Sequence, residues 1–355
     1  MITGNFKTSY GNDEQVFDNR NKQLFFVACV LGLIGLGLFA NDYVILMACR
    51  MGVMLIAVVG LNVVVGYTGQ MSLGHGAFIA IGAYSTTVFY KLAGPILPDG
   101  IMIFIAFPVA IAISAFIGLI VGLPSLRVKG LYLAVATLSA NFIVIFLIEQ
   151  DILKPWTGGM VGTDTPTPNL LGWVLDTKRE MFILISTMSV LMLLFAQNLI
   201  RTRIGRAFIA IRDRDYSAEI MGISLLRYKL LSFAISAGYC GAAGALWTFF
   251  FARILPEQFE MALSLQLVAA LIVGGMGRTM GPVFGVIVIL LVPELIKLGF
   301  GSLTGGDVTM GKYTAPLQEI AFGLLIIAFL VFEPLGLVAI TDRILRALNR
   351  WPFAR

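Results

Sequence analysis

His75 is the one histidine in the chain, and Ser72 lies three positions before it. A hydroxyl beside an imidazole is the first half of a nucleophilic hydrolase site. The second half is missing: no acid nearby orients the ring, and no Gly-rich nucleophile turn surrounds the serine. One histidine also excludes His-rich metal sites and paired haem ligands. Cys29, Cys49 and Cys240 sit in apolar stretches without paired spacing, which argues against a disulfide or metal framework. Gly306, Gly311 and Lys312 come close to a phosphate-binding loop, but Tyr313 stands where Ser or Thr must hold magnesium. No apolar strand precedes them. The sequence therefore offers no catalytic residue, metal ligand set or cofactor site, and any ATP that powers the protein is bound by another chain.

Two segments are unusual for other reasons. Residues 66–84 carry Gly66, Gly69, Gly74, Gly76 and Gly82, interleaved with Gln70, Ser72 and His75. Residues 201–229 mix Arg201, Arg203, Arg206, Arg212 and Arg214 with Asp213, Asp215 and Glu219. In this second segment Ile204, Phe208 and Ile211 recur at helical spacing, predicting an apolar face exposed among charges. Ala218 to Met221 predict a further short turn that Gly222 ends as a left-handed cap. A lipid-surface helix is one reading of the segment. The mixed signs favour a docking element for a soluble partner, because lipid-anchoring helices avoid acids.

Composition fixes what holds these segments. Apolar residues (aromatics and Cys included) make up 58% of the 355 and charged residues 13%, where soluble domains carry about 25% charge. So little charge cannot cover a water-facing surface. Ten apolar stretches, near 24–41, 43–65, 73–90, 101–123, 131–148, 181–200, 231–252, 264–276, 282–300 and 319–340, approach the roughly 20 residues that cross a bilayer core. The third and eighth are short or Gly-rich, so the expectation is about ten spans within a range of eight to eleven. None alternates as a barrel strand would. The fold class is an all-α polytopic membrane protein.

Lys and Arg in short loops set orientation. With the N-terminus inside, about 17 of the 25 basic residues fall on the cytoplasmic face and about seven on the other. Residues 1–23 then read as a cytoplasmic tail without signal-peptide features. Residues 24–340 form the membrane domain, and 341–355 a second cytoplasmic tail.

At membrane depth the glycines gain meaning, since each costs about 1 kcal/mol against Ala in a helix. Irregular backbone there must be buried in protein or line an aqueous cavity. Two readings stay open for 66–76: a broken or re-entrant element beside a translocation path, or close helix packing. Gly66, Gly69, Gln70, Ser72, Gly74, His75 and Gly76 are the candidate path residues, and a helix N-terminus freed by the break would offer N–H groups to a carboxylate. Charges inside spans are few. They are Arg50, Glu294 with Lys297 as an i, i+3 pair, and Glu333 ahead of Pro334. A proton- or sodium-coupled carrier would show more acids at mid-span.

Taken together, the segments resemble the permeases of ATP-binding-cassette importers, specifically the longer of the two permease types of branched-chain amino-acid systems. The resemblance runs from about residue 44 to 340. It rests on 66–84, on 201–224, on Trp156-Thr157-Gly158-Gly159, and on the run from Gly274 to Pro282. It implies a type II-like importer fold in a bacterial inner membrane. It also implies two ATPase subunits, a second related permease chain, a periplasmic substrate-binding protein and surrounding lipid as partners, with no nucleic acid. Ala218, Glu219 and Gly222 match the pattern that contacts the ATPase; Asp213 lies in the same coupling loop, where Arg206 and Arg212 are expected to pair with acids on the ATPase. Urea and short-amide importers share both signatures and remain the alternative, with an ion-coupled carrier the more distant one.

Overall fold

A computed structural model describes residues 32–33, 35–128, 130–170, 173–303 and scattered positions between 320 and 343. The 24–41 and 319–340 stretches are described only in part. Residues 1–23, the Gly306–Lys312 run and all of 341–355 but Arg343 lie outside the described residues. The described chain is mostly helical. Helix α1 (Asp42–Leu61) continues into a π-helical turn, Asn62–Tyr67, and an irregular stretch leads to α2 (His75–Ala93). Then come α3 (Asp99–Gly122), α4 (Leu131–Glu149) and α5 (Lys178–Arg201). The chain continues through α6 (Arg203–Ile220), α7 (Leu225–Phe250), α8 (Met261–Gly274) and α9 (Gly281–Leu303). Local chemistry sets several limits. Thr177 and Glu180 form a reciprocal capping box at the start of α5, satisfying two otherwise orphaned N–H groups.

Among the described residues six segments are long and apolar enough to cross a membrane: Asp42–Tyr67, Gly100–Gly122, Leu131–Glu149, Lys178–Arg201, Leu225–Phe250 and Pro256–Gly274. Gly281–Leu295 is a shorter apolar helix. This is a polytopic membrane protein, with six such spans described where the sequence suggests about ten. The 73–90 stretch forms α2 but is not among the six. Its polar residues face protein, where hydrogen bonds replace the need for apolar side chains.

Helix α7 is the hub, packing against α1, α2 and α3, with 78% of its apolar window buried. Small residues make that density possible. A β-carbon on Gly82 would fall 2.6 Å from the α-carbon of Gly241, and one on Gly244 would fall 2.7 Å from the amide nitrogen of Ala83. Gly118 of α3 lies equally close to Phe233 and Ala237 of α7. Between helices in lipid there is little hydrophobic drive, so close backbone approach and dispersion carry the packing. Outward faces stay apolar: Phe104 and Phe116 on α3, and Val135, Phe142 and Phe146 on α4, are all exposed. That is the surface a lipid-facing helix requires.

The connections gather at two opposite ends. At one, Thr163–Asp164 pairs antiparallel with Arg253–Ile254, and Asn169–Leu170 with Trp173–Val174. These two-residue ladders are a small departure from the all-α expectation. They arise because a long connection must satisfy its own backbone groups. Lys91 Nζ donates to Trp156 O (3.0 Å) and Thr163 Oγ1 (2.6 Å), tying α2 to this end. The Trp-Thr-Gly-Gly motif is a turn closing α4. Thr157 Oγ1 donates to Ile148 O at 2.8 Å, while Gly158 and Gly159 take left-handed backbone. At the other end lie the 62–74 break, the 201–224 segment and the 275–280 loop.

Candidate functional site

The break begins where α1 widens into its π turn. Widening leaves C-terminal carbonyls without helical partners, and each finds another donor. Val63 O accepts from Thr68 Oγ1 (2.9 Å), Val64 O from Gln70 N (3.0 Å), and Gly66 O from Arg212 Nη1 (2.6 Å). Gly66 is glycine because the Asn62 amide occupies the space a β-carbon would fill. That amide bridges to a distant loop. Its Oδ1 accepts from Gly277 N (2.8 Å), and its Nδ2 donates to Arg278 O (3.0 Å). Tyr67 OH meets Thr279 Oγ1 at 3.2 Å beside it.

Beyond Gly69, which has φ +73°, the chain turns back into the bundle and starts α2. Gln70, Ser72, Gly74, His75 and Gly76 are all buried. Hydroxyls from three other helices meet most of the polar groups of this stretch, while Gln70 Oε1 is buried without a partner among the described residues. Gln70 Nε2 donates to Ser232 Oγ (2.9 Å). His75 lies between Ser72 Oγ (3.0 Å at Nδ1) and Ser236 Oγ (2.7 Å at Nε2). Leu73 N donates to Thr137 Oγ1 and Gly76 N to Ser264 Oγ, both at 2.9 Å. Two of the N–H groups at this helix start, those of Leu73 and Gly76, are therefore occupied by side chains of the protein itself. A ring held between two hydroxyls, with no acid beside it, orients nothing for nucleophilic attack. In this structure the segment is packed, with Gly69 and Met71 its exposed positions.

The 201–229 segment folds as expected in outline and differs in one respect. Phe208 and Ile211 are buried, and Ile204 is half-buried. The face predicted to be exposed packs against Val63, Tyr67 and the flanking helices. The stripe was legible, but periodicity alone does not say whether it meets the chain's own helices or a partner. Helix α6 is broken at Arg214, whose backbone is extended (φ −156°, ψ 98°). The first half lies on the body. The second projects, leaving Tyr216 74%, Ile220 71% and Met221 82% exposed. Gly222 (φ +85°) caps it in the left-handed form, with Ile223 N donating to Ala218 O at 3.0 Å. Ala218 is buried beneath the turn, while Arg206, Asp213 and Glu219 face outward. Lys229, itself buried, holds Asp215 at 3.6 Å and so fixes the joint between the halves.

The structure thus joins two segments that sequence reading treated separately. Arg212 is exposed, and its guanidinium also reaches back to Gly66 O. The hydroxyls of Thr137, Ser232, Ser236 and Ser264 were missed. Their signal was weak, although Ser232 and Ser236 lie one turn apart on α7, in step with Gln70 and His75. Asn62 was also missed, though an amide in an apolar run four residues before a glycine is a readable anomaly. Of the other charges, Glu294 accepts a hydrogen bond from Tyr43 OH, and Glu333 pairs with Arg343 at 2.7 Å. The Lys297 side chain lies outside what is described.

A family model described as branched-chain amino acid transport system / permease component matches residues 43–330. The LivM high-affinity branched-chain amino acid transport system permease protein of Escherichia coli K12 is 28% identical, over 92% of this chain and 77% of its own length. Its Salmonella typhimurium counterpart is 30% identical over 79% of this chain and 67% of its own. A probable LivH permease of Methanocaldococcus jannaschii is 26% identical over 81% of this chain and 89% of its own. No solved structure matches. The match spans most of the described helices, including the break, α6 and the 275–280 loop, and the chain belongs to the family of branched-chain amino acid transport-system permease components.

Proposed function

We propose that this chain is the membrane-embedded permease subunit of an ATP-binding-cassette importer that carries branched-chain amino acids into a bacterial cytoplasm. The observation that carries the reading is the projecting turn 216–222. It puts exposed apolar side chains and mixed charge at a capped helix end, in a family whose named relatives are permease proteins. Two ATPase subunits bind that end and hydrolyse ATP, so the permease itself is not an enzyme. A second permease chain of the related type completes the pathway. A periplasmic binding protein delivers substrate to the opposite end, at 150–177 and 251–260. The basic 201–229 segment makes the α6 end cytoplasmic, with both termini on that side of the inner membrane.

Within this reading Glu219 and Gly222 set the docking turn, and Arg206 and Arg212 pair with acids on the ATPase, with Asp213 exposed beside them. The break from Gly66 to Gly76, buried except at Gly69, Met71 and half-buried Leu73, shapes the path by packing beside it. Affinity comes from the binding protein and direction from ATP, so few charged groups are needed at mid-span. Uptake by the reconstituted complex tests the cargo. Labelled leucine, isoleucine and valine should enter and compete with one another, while a hundredfold excess of urea or acetamide leaves uptake unchanged. Competition by the amides with weak competition among the amino acids would reassign the substrate.

A further inference from the structure

Arg212 is where three segments far apart in sequence meet. Its guanidinium donates to Gly66 O at 2.6 Å. Its stem lies against Gly69, where a β-carbon would come 3.3 Å from Cγ, and the guanidinium fills the space a side chain on Gly277 would take. Gly69 and Gly277 both have positive φ (+73° and +72°), so two left-handed glycines form the socket. Asn62 closes the circuit through Gly277 N and Arg278 O. Arg212, four residues before the partner-facing turn, is thus hydrogen-bonded to the end of α1, and Asn62 there is hydrogen-bonded to the loop between α8 and α9.

We propose that Arg212 is the positioning residue through which movement of the 216–222 turn reaches the membrane helices. This rests on the docking reading given above. Arg214 breaks α6 two residues after Arg212, and Lys229 holds Asp215 there, so the projecting half moves against an anchored joint. The element with two packings is the π turn 62–67. Drawing its extra residue into α-helical register rotates Asn62 away from Gly277 and frees the 275–280 loop. Holding Gly66 O in place, Arg212 keeps the π register; when α6 shifts, the carbonyl is released. Small displacements become discrete changes because packed junctions are bistable.

Two measurements on the complete reconstituted complex test this. Arg212→Met keeps the stem and removes the donor, and should lower substrate taken up per ATP hydrolysed at least tenfold. Arg212→Lys, which keeps the charge, should recover part of that loss. Combining Arg212→Met with Asn62→Ala should lower the ratio no further than the worse single variant, since both act on one route. Hydrogen exchange on the unmodified complex avoids any folding defect of the variants. A non-hydrolysable ATP analogue should change exchange at 62–70 and 275–280 together with 216–222. An unchanged uptake ratio, multiplying losses in the double variant, or exchange confined to 216–222 would overturn the relay and leave the docking reading standing. No change at 216–222 would overturn the docking reading itself, and the relay with it.

Discussion

Gly222→Pro should reduce substrate-stimulated ATP hydrolysis by the assembled transporter at least ~100-fold while the chain stays in the membrane, because proline cannot adopt the conformation found there. Gly222 sits at φ +85° and its N–H donates to Glu219 O at 2.9 Å. Proline fixes φ near −65° and removes that donor, so the cap unwinds and the exposed face of Tyr216, Ile220 and Met221 loses its shape. Among the described residues, chain neighbours aside, no atom lies within 4 Å of a β-carbon at this position. Gly222→Ala therefore suffers only left-handed strain, about 1–2 kcal/mol, and should retain most coupling. Glu219→Lys reverses an outward charge without touching the backbone and should also fail to couple. The checks are phosphate release with saturating substrate and binding protein, and membrane abundance by immunoblot. Normal coupling in both Gly222→Pro and Glu219→Lys would remove the turn from the mechanism.

Gly82→Leu should have the opposite profile, with the fold lost before function is tested. The Gly82 position faces the Gly241 backbone where α2 and α7 cross, so a leucine must push two central helices apart. Overpacked interiors lose about 1–3 kcal/mol, and backbone against backbone is the upper end of that range. Gly82→Ala meets the same obstacle with less bulk and should be intermediate. Thermal unfolding in detergent and the monodisperse yield after solubilisation check this. A Gly82→Leu variant as stable as the parent would mean that α2 and α7 are not in contact as described.

How much of this was legible in the sequence varies with the physics. Membrane embedding follows from composition, since 13% charge cannot solvate a surface, and the apolar stretches found most of the long helices. α2 shows where hydropathy stops informing: a helix wrapped by protein tolerates Gly76, His75 and Thr86, which a lipid-facing helix would not. The left-handed cap at Gly222 was readable because a turn must end somewhere and glycine marks the place. The direction of Phe208 was not, because one periodic stripe serves an internal core and an external partner equally well. The Gly-rich break was visible as an anomaly with two readings, and only long-range partners separate them. His75 meets Ser236 from 161 positions away, and Arg212 meets Gly66 from 146. No local pattern encodes such pairings. The clues are residual: an amide at Asn62 that an apolar run does not need, and glycines at 69 and 277 that leave room for another segment's side chain.

Under the proposed function, this permease moves its cargo on the energy of ATP bound by partner chains, through the α6 end. The direct measurement is uptake of labelled leucine into proteoliposomes holding both permease chains, the ATPase subunits and the binding protein. ATP and ionophores are varied independently. Accumulation should require ATP on the α6 side, stop when the ATPase subunits are omitted, and persist when proton and sodium gradients are collapsed; leucine uptake of that kind is the result expected of an ATP-driven importer. Accumulation that continues without ATP and disappears with the ion gradients would contradict it.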